Sequence, residues 1–332
     1  MDRRAFIAAS AAASLAPSLV SAATGSSMRS AAGEFLATLD TPRRNAALFA
    51  FGARQRRAWN FMLGSRAAPG LALERMTPNQ SEAALALLAT GTSALGFTKA
   101  RNIMLQQDIL RDEWNKGAPD RNSRRFSVQI YGAPSATDPW SWRWEGHHLS
   151  LTFTVVGDEV VSTTPSAFSS EPNTVPSGPH RGLTVLKEEE TLARRLFSDL
   201  SGDAREQALA FPTSPGNILS VRGAEVQVAR EAAGIPLANL PEGQADMVRR
   251  LIEVYTTEVL PAPLARQQAA RIRGEDDAAI RFAWGGADLS GSIYYRITGQ
   301  NLLIEFATLR NQPQHLHAVF HDTARNFGAH TI

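Results

Sequence analysis

The sequence contains no cysteine in its 332 residues. This absence excludes thiolate metal ligands and cysteine nucleophiles, so a metal site would have to use histidine and carboxylate side chains. It also excludes disulfides, and an exported chain without them must depend on its hydrophobic core for stability. The length, together with 43% hydrophobic residues, is sufficient for a sizeable core.

The sequence also lacks a large net charge. The formal net charge is +2, lysine occurs only at Lys99, Lys116 and Lys187, and no basic stripe is interleaved with aromatic residues. We therefore expect no nucleic-acid partner. The sequence also lacks a Gly-x-Ser-x-Gly elbow and a His-Glu-x-x-His helix, so the standard serine-hydrolase and metalloprotease interpretations have no support.

Residues 1–22 have the three parts of an export signal. Arg3 and Arg4 form the charged start, residues 6–20 form an apolar segment too short to span a membrane, and residues 20–22 (Val-Ser-Ala) form a small-residue cleavage site. The Arg-Arg-x-Phe start is similar to a twin-arginine signal, and a general secretory signal is the alternative. We predict a periplasmic or secreted protein with no transmembrane segment after signal removal.

Hydrophobic periodicity divides the rest of the chain into helical and strand regions. Helices are predicted before residue 114, across residues 188–211 and between residues 241 and 273, and period-two alternation predicts strands within residues 126–163 and 280–321. This order is typical of an α+β fold with helices packed on a mainly antiparallel sheet. We expect the two β-regions to share one sheet, so that residues 23–332 form a single large domain.

The densest group of chemically versatile side chains lies in residues 131–172, which contain a Glu-Gly-His-His tetrad. Residues 140–156 are predicted to form one long strand, and the proline-rich residues 165–182 a loop folded over the sheet. Side chains alternate between the faces of a strand. On this alternation His147 points with the apolar set beside Glu145, while His148 points into the polar face. We predict that His148 ligates a metal, and that Glu145 and His147 act in catalysis or as alternate ligands.

A second histidine cluster lies near the C-terminus. His315, His317 and His321 share one face of a predicted strand, and apolar side chains occupy the other face. A His-x-His pair on a strand can converge on one ion, and with His148 it would supply the nitrogen ligands of a zinc, copper or iron site. Two alternatives stay open: a metal-free polar or catalytic histidine cluster, and histidines that are structural or solvated.

Trp140, Trp142 and Trp144 recur at every second residue and therefore form a row along one face of the sheet. On the predicted long strand this is the polar face, into which His148 also points. Such a row either packs in the core or provides a platform on which a ring, including a sugar, can stack. As the functional alternative to core packing, Trp142 and Trp144 are predicted to bind substrate.

Four segments carry a family resemblance: YGAPSATDPWSWRWEGHHLSLTF, the TP…EP…GP…GL…L..EE run of residues 164–189, YYRITGQNLLIEF, and HLHAVFHDTARNFG. In these segments the chain resembles a bacterial and fungal family catalogued as domain of unknown function 3500. Members of that family usually have arginine where His321 stands, and an Asn-Asp-Phe-Gly-like end where residues 326–328 stand. The resemblance implies that the strand-borne histidine pairs are a hallmark of the family, and it implies no particular reaction.

The two histidine clusters lead to one functional hypothesis with a geometric requirement. His148, or His147, must approach His315 and His317 within roughly 5 Å if they share an ion. The protein would then be a metal-dependent enzyme, a hydrolase or an oxidoreductase acting on a small molecule or a polymer fragment. The competing hypotheses are a periplasmic protein that binds a ligand in a Trp/His pocket without catalysis, and a structural envelope protein with a buried polar network.

Overall fold

The structure, a computed structural model, describes residues 25–62, 69–113, 121–220 and 232–329. The predicted export signal lies outside these ranges. Inside them, no helix combines the length and the apolar character that a membrane crossing requires.

The described residues form eight α-helices: α1 (Gly25–Ala37), α2 (Thr41–Ala47), α3 (Pro78–Gly91), α4 (Ala94–Asp112), α5 (Lys187–Asp199), α6 (Gly202–Ala208), α7 (Glu242–Thr256) and α8 (Ala262–Arg273). They also form thirteen strands: β1 (Leu48–Phe49), β2 (Leu71–Ala72), β3 (Ser127–Tyr131), β4 (Pro139–Gly146), β5 (Leu149–Val156), β6 (Glu159–Ser162), β7 (Ser166–Phe168), β8 (Leu209–Phe211), β9 (Ile235–Pro236), β10 (Arg281–Gly285), β11 (Tyr294–Thr298), β12 (Leu302–Leu309) and β13 (Gln312–Asp322).

Local sequence signals explain where several helices begin. Helix α3 starts with a capping box, in which the Gln80 amide donates to the Thr77 hydroxyl (3.3 Å) and the Thr77 amide donates to the Gln80 side chain (3.0 Å). Asp40 and Ser93 accept the equivalent amide hydrogen bonds at the starts of α2 and α4. Each cap satisfies a backbone donor that the helix itself leaves without a partner.

All thirteen strands belong to one sheet, whose main order is β1-β3-β4-β5-β7-β13-β12-β11-β10-β8. The pairings are antiparallel except for β1 with β3 and β8 with β10. The two β-regions of the sequence therefore share one sheet, as predicted. The α+β fold, with helices packed on a mainly antiparallel sheet in a single domain, is confirmed.

The two faces of the sheet differ in chemistry. One face packs large apolar side chains, including Trp142 and Phe153, against the helices in the main core. The opposite face carries a smaller apolar cluster around Trp59 and Phe61. Around that cluster lie side chains that are buried although they are polar or charged: Gln129, Arg143, Glu145, Thr152, Arg296, Glu305, His317 and His321.

Two predictions about the central stretch are wrong. Residues 140–156 do not form one strand, because β4 ends at Gly146 and β5 begins at Leu149, with His147 and His148 as the turn of a hairpin. His148, the third residue of this four-residue turn, has a φ of 70°, a left-handed conformation that type II turns also require at that position. Residues 165–182 are not wholly a loop, because β7 lies among them. The prolines of this segment flank β7 rather than interrupt it, so they remove no hydrogen bond from the strand.

Candidate functional site

The short strand β7 determines which residues meet at the site. It pairs with β5 on one side and with β13 on the other. Beyond its end, the Ser169 amide donates to the His148 carbonyl oxygen (2.8 Å) and the Ser170 amide donates to the Leu316 carbonyl oxygen (2.9 Å). The hairpin turn and the start of β13 therefore lie two strand spacings apart, roughly 10 Å between backbones. Two facing imidazole side chains can span this gap.

The two histidine clusters of the sequence do meet in space, as predicted. The Nε2 atoms of His148 and His315 are 2.8 Å apart, and their ring centroids are 4.7 Å apart. The His147 ring lies against the His148 ring with 3.6 Å between centroids. One ring nitrogen from each of these three residues lies within 4.8 Å of the other two. We call His147, His148 and His315 the histidine triad.

His317 lies beside the histidine triad but is not a member of it. Its ring centroid is 4.9 Å from that of His315 and 5.4 Å from that of His148. Its Nδ1 is 2.7 Å from the Asn217 side-chain oxygen, and its ring packs edge-on against Phe61. The third nitrogen of the group thus comes from His147, which was predicted as a catalytic residue or alternate ligand, rather than from His317, which was predicted as a ligand.

Hydrogen bonds at Nδ1 set the tautomers of two triad members. His147 Nδ1 is 2.7 Å from Gln107 Oε1, and His315 Nδ1 is 3.0 Å from Gln312 Oε1. An amide oxygen only accepts, so each Nδ1 donates and each Nε2 keeps its lone pair. The Glu171 carboxylate is also 3.4 Å from His315 Nδ1. In its neutral form each ring therefore presents an unprotonated Nε2.

His148 is the buried member of the triad, with no exposed surface. Its Nδ1 has no hydrogen-bond partner in the part of the chain that the structure describes. Its Nε2 faces the lone pair of His315 at 2.8 Å, so a proton or a cation must lie between the two nitrogens. Two nitrogens bound to one zinc ion in tetrahedral geometry are about 3.4 Å apart. The rings would therefore separate by about half an ångström to admit such an ion.

The electrostatics of the site keep three of its imidazoles neutral, those of His147, His148 and His317. Burial lowers the pKa of His147 and of His148 well below the usual histidine value, and the positive charge of Arg121 and the neighbouring imidazoles lower it further. Burial also lowers the pKa of His317 to about 3, helped by His315. Neutral imidazole is the form that binds a metal ion. The lone pairs of these three rings are therefore available near pH 7.

Three residues that support the triad carried no recognisable signal in the sequence. Gln107 reaches His147 from helix α4, and Glu171 reaches His315 from the segment after β7. Arg121 holds Glu171, with 3.0 Å between Nη1 and Oε2. Glu171 lies within the dense stretch of residues 131–172, but nothing in its spacing marks it as a partner of a histidine near the C-terminus.

Glu145, predicted to act with His147, belongs to a different buried network. Its carboxylate accepts from the Asn60 amide (2.9 Å), the Gln129 side chain (3.3 Å) and Arg143 Nη1 (3.4 Å). Among the described residues, none of its hydrogen bonds reaches an imidazole. The alternation argument fails here because the hairpin turn takes His147 out of the strand on which Glu145 lies. Burial raises the pKa of Glu145, and Arg143 opposes that effect.

The tryptophan row lies in the main core. Trp140, Trp142 and Trp144 have no exposed surface. Trp142 stacks on Phe153 with 4.4 Å between ring centroids. Across the hairpin, even positions of β4 pair with odd positions of β5, so the row shares the apolar face of β5 and not its polar face. Trp142 and Trp144, predicted to bind substrate, present no face to a ligand in this structure.

His321 lies apart from the triad on the polar face of the sheet. Its Nδ1 is 3.0 Å from the Asn326 side-chain nitrogen, and its ring meets Trp59 edge-on at 5.5 Å between centroids. The side chain is buried, and burial lowers its pKa to about 4. His321 therefore packs between the sheet and the segment that carries Trp59.

The comparison with known families bears out the resemblance noted in the sequence. The family described as Protein of unknown function (DUF3500) matches residues 21–329, nearly the whole chain. The match includes the triad, its supporting residues and both halves of the sheet. No curated protein and no solved structure matches the chain. The chain belongs to the DUF3500 family.

Proposed function

We propose that this protein is a metal-dependent enzyme whose ion is bound by His147, His148 and His315. The observation that carries the proposal is the position of one nitrogen from each residue within 4.8 Å of the other two. Three imidazoles with a free fourth position form the ligand set of catalytic zinc sites, and imidazole also suits copper and iron. Because the chain has no cysteine, an imidazole site is the form that its composition permits.

The hydrogen bonds around the triad support the same assignment. In metal sites a ligating histidine commonly donates its other ring N–H to a carboxylate or carbonyl group, which fixes the ring and raises its basicity. Gln107 accepts such a hydrogen bond from His147, and Gln312 accepts one from His315. The Glu171 carboxylate lies beside the same nitrogen of His315. The outer contacts of a metal site are thus already in place for two of its three ligands.

The backbone of His148 adds a further argument. A residue other than glycine rarely adopts a positive φ, and the conformation costs of order 1–3 kcal/mol. In this protein it is held by a hydrogen bond from the His148 amide to the Phe61 carbonyl oxygen (2.6 Å) and by the bond from Ser169. Such strain persists where surrounding structure enforces it, and it is concentrated at functional sites.

The class of reaction follows from the ion. A zinc-like ion lowers the pKa of a bound water to about 7, which would make the protein a hydrolase of a small molecule or a polymer fragment. A redox-active ion would make it an oxidoreductase. The predicted export signal in residues 1–22 supports action outside the cytoplasm.

Elemental analysis of the full-length protein, purified from the periplasm without chelator, tests the metal site. We expect about one equivalent of a transition metal in the wild type and less than about a tenth in His148→Ala and in His315→Ala. His180→Ala is the matched control, because His180 lies outside the triad and its replacement should leave the metal content unchanged. A wild-type protein that retains no zinc, copper or iron after equilibration with each ion would overturn the proposal.

A further inference from the structure

We infer that the fourth position of the metal site binds an oxyanion group of the substrate and that Arg121 is the second contact of that group. This inference rests on the proposed function and specifies its substrate class. It assigns to Arg121 a role in binding the substrate rather than the ion.

The charge balance of the site is the first argument. Imidazoles that ligate an ion are neutral, so a divalent ion in the triad keeps its full charge. The only ion pair that the described residues place against the triad joins Arg121 to Glu171, and its two charges cancel. His148 has no exposed surface, and the Glu171 side chain is 4% exposed. A dication that is largely removed from water strongly favours an anionic partner.

The position of Arg121 is the second argument. Its Nη1 lies 3.0 Å from Glu171 Oε2, and the same oxygen lies 3.4 Å from His315 Nδ1. The guanidinium is therefore one side chain away from a triad ring. Arginine has five N–H donors in a planar fork that matches the oxygens of a carboxylate or phosphate. Within the described residues Glu171 is the only carboxylate that pairs with Arg121, so further donors remain for a substrate.

The exposed fractions of the side chains identify the members of the site that a substrate oxyanion can reach. His148 is sealed in the interior, whereas His147 is half-buried and the His315 side chain is 12% exposed. Arg121 is similarly placed, with 13% of its side chain exposed. His147, His315 and Arg121 are therefore the members of the site that solvent reaches, and an oxyanion that approaches them could contact both the ion and the guanidinium.

Cobalt-loaded protein gives a direct test, because the visible absorption of Co²⁺ changes with its ligands. The full-length protein would be loaded with Co²⁺ and titrated separately with acetate, inorganic phosphate and neutral acetamide. We expect a saturable spectral change with acetate or phosphate and none with acetamide. A response to acetate alone identifies a carboxylate as the ligand group, and a response to phosphate alone identifies a phosphoryl group.

The Arg121→Gln variant tests the second contact. Its Co²⁺ content would be measured first, and at Co²⁺ saturation its dissociation constant for the anion should rise by about tenfold or more relative to the wild type. Arg121→Lys, which keeps the charge but not the fork, should give an intermediate value. Arg101→Gln, a change of an exposed arginine on α4, is the matched control and should alter neither measurement.

The outcomes separate this inference from the proposed function. If Co²⁺ binds but no anion alters its spectrum, the oxyanion inference is wrong and the metal site stands. If Co²⁺ does not bind to the triad, the proposed function is wrong. Equal anion affinities for the wild type and a folded Arg121→Gln protein would exclude Arg121 from the contact.

Discussion

His148 and His315 place their Nε2 atoms 2.8 Å apart although 167 positions separate the two residues in the sequence. The Nδ1 of His315 faces the oxygens of Gln312 and Glu171, so its Nε2 directs a lone pair at His148. A neutral His148 that carries its proton on Nε2 would donate to this lone pair, whereas a bound metal ion would take the place of that proton. The contact is therefore the point at which a metal site and a structural pair of histidines would differ.

Replacement of Gln107 should weaken metal binding without removing a ligand. Gln107→Ala deletes the oxygen that accepts from His147 Nδ1 at 2.7 Å, so the ring loses its fixed orientation. Loss of such an outer contact typically lowers metal affinity by about 10- to 100-fold. Competition with a chromophoric zinc chelator would measure the change. Gln107→Glu keeps an acceptor at the same place and should restore most of the affinity; equal affinities for all three proteins would contradict the assigned role.

The tryptophan row should contribute to stability rather than to ligand binding. Trp142→Ala removes a fully buried ring stacked on Phe153, and we expect the free energy of unfolding to fall by about 3–5 kcal/mol. Urea unfolding of the metal-free protein would measure this. Leu95→Ala is the control, because Leu95 is exposed and its truncation should change the value by less than about 0.5 kcal/mol. A Trp142→Ala protein of unchanged stability would contradict the core assignment.

Removal of one partner of the buried ion pair between α4 and α5 should lower the free energy of unfolding. Lys99 Nζ lies 2.6 Å from Glu189 Oε1, with the side chains 10% and 4% exposed. Lys99→Ala leaves the Glu189 carboxylate buried without its cation, which typically costs about 3–5 kcal/mol.

The double variant Lys99→Met with Glu189→Leu should recover most of that loss, because it removes both charges from the interior. Urea unfolding of the wild type, the single variant and the double variant would measure these differences. A single variant as stable as the wild type would show that water reaches the carboxylate. Metal content should be the same in all three proteins, because the pair makes no contact with the histidine triad.

His321 should make stability depend on pH in the mildly acidic range. Its pKa is about 4 in the folded protein against an ordinary value of 6.5, so between these values the unfolded chain binds the proton and the folded chain does not. The free energy of unfolding therefore decreases as pH falls from 6.5 to 4, by about 3 kcal/mol from this residue.

His321→Gln cannot titrate, so the difference between the wild-type and variant stability profiles isolates this contribution. Urea unfolding at several pH values, with metal removed by a chelator, would give both profiles. The two curves should diverge across this range and run parallel below pH 4. Curves that stay parallel from pH 7 to pH 4 would show that His321 is accessible to protons in the folded state.

The sequence was sufficient to predict the fold class, the shared sheet and the proximity of the two histidine clusters. The fold class depends on periodicity, which is set locally by the alternation of side chains, and the shared sheet and the proximity of the clusters were hypotheses built on that assignment. The hairpin turn at His147 and His148 was not predictable from the same signal, since neither residue is the glycine or asparagine typical of such turns. The two-residue turn shifts the alternation from apolar even positions in β4 to apolar odd positions in β5, and it transfers the tryptophans to the opposite face from the one expected.

The residues that support the triad were beyond prediction for a different reason. Gln107 comes from a helix and Glu171 from the segment after β7, and both reach the site only through tertiary packing. No local periodicity relates either residue to its histidine. The choice between His147 and His317 as the third nitrogen depended likewise on side-chain contacts, because Asn217 and Phe61 hold the His317 ring in its place.

The three-residue strand β7 joins the two halves of the sheet, and the triad takes its imidazoles from both sides of it. Because the proposed metal site needs imidazoles from both halves, its occupancy would report that β7 has paired with both of its neighbours. An ion bound there would also link residues that are 167 positions apart in the sequence, and it would restrict the unfolded chain as a disulfide does. Chelation should therefore lower the temperature at which the whole sheet melts, by an amount set by the affinity for the ion.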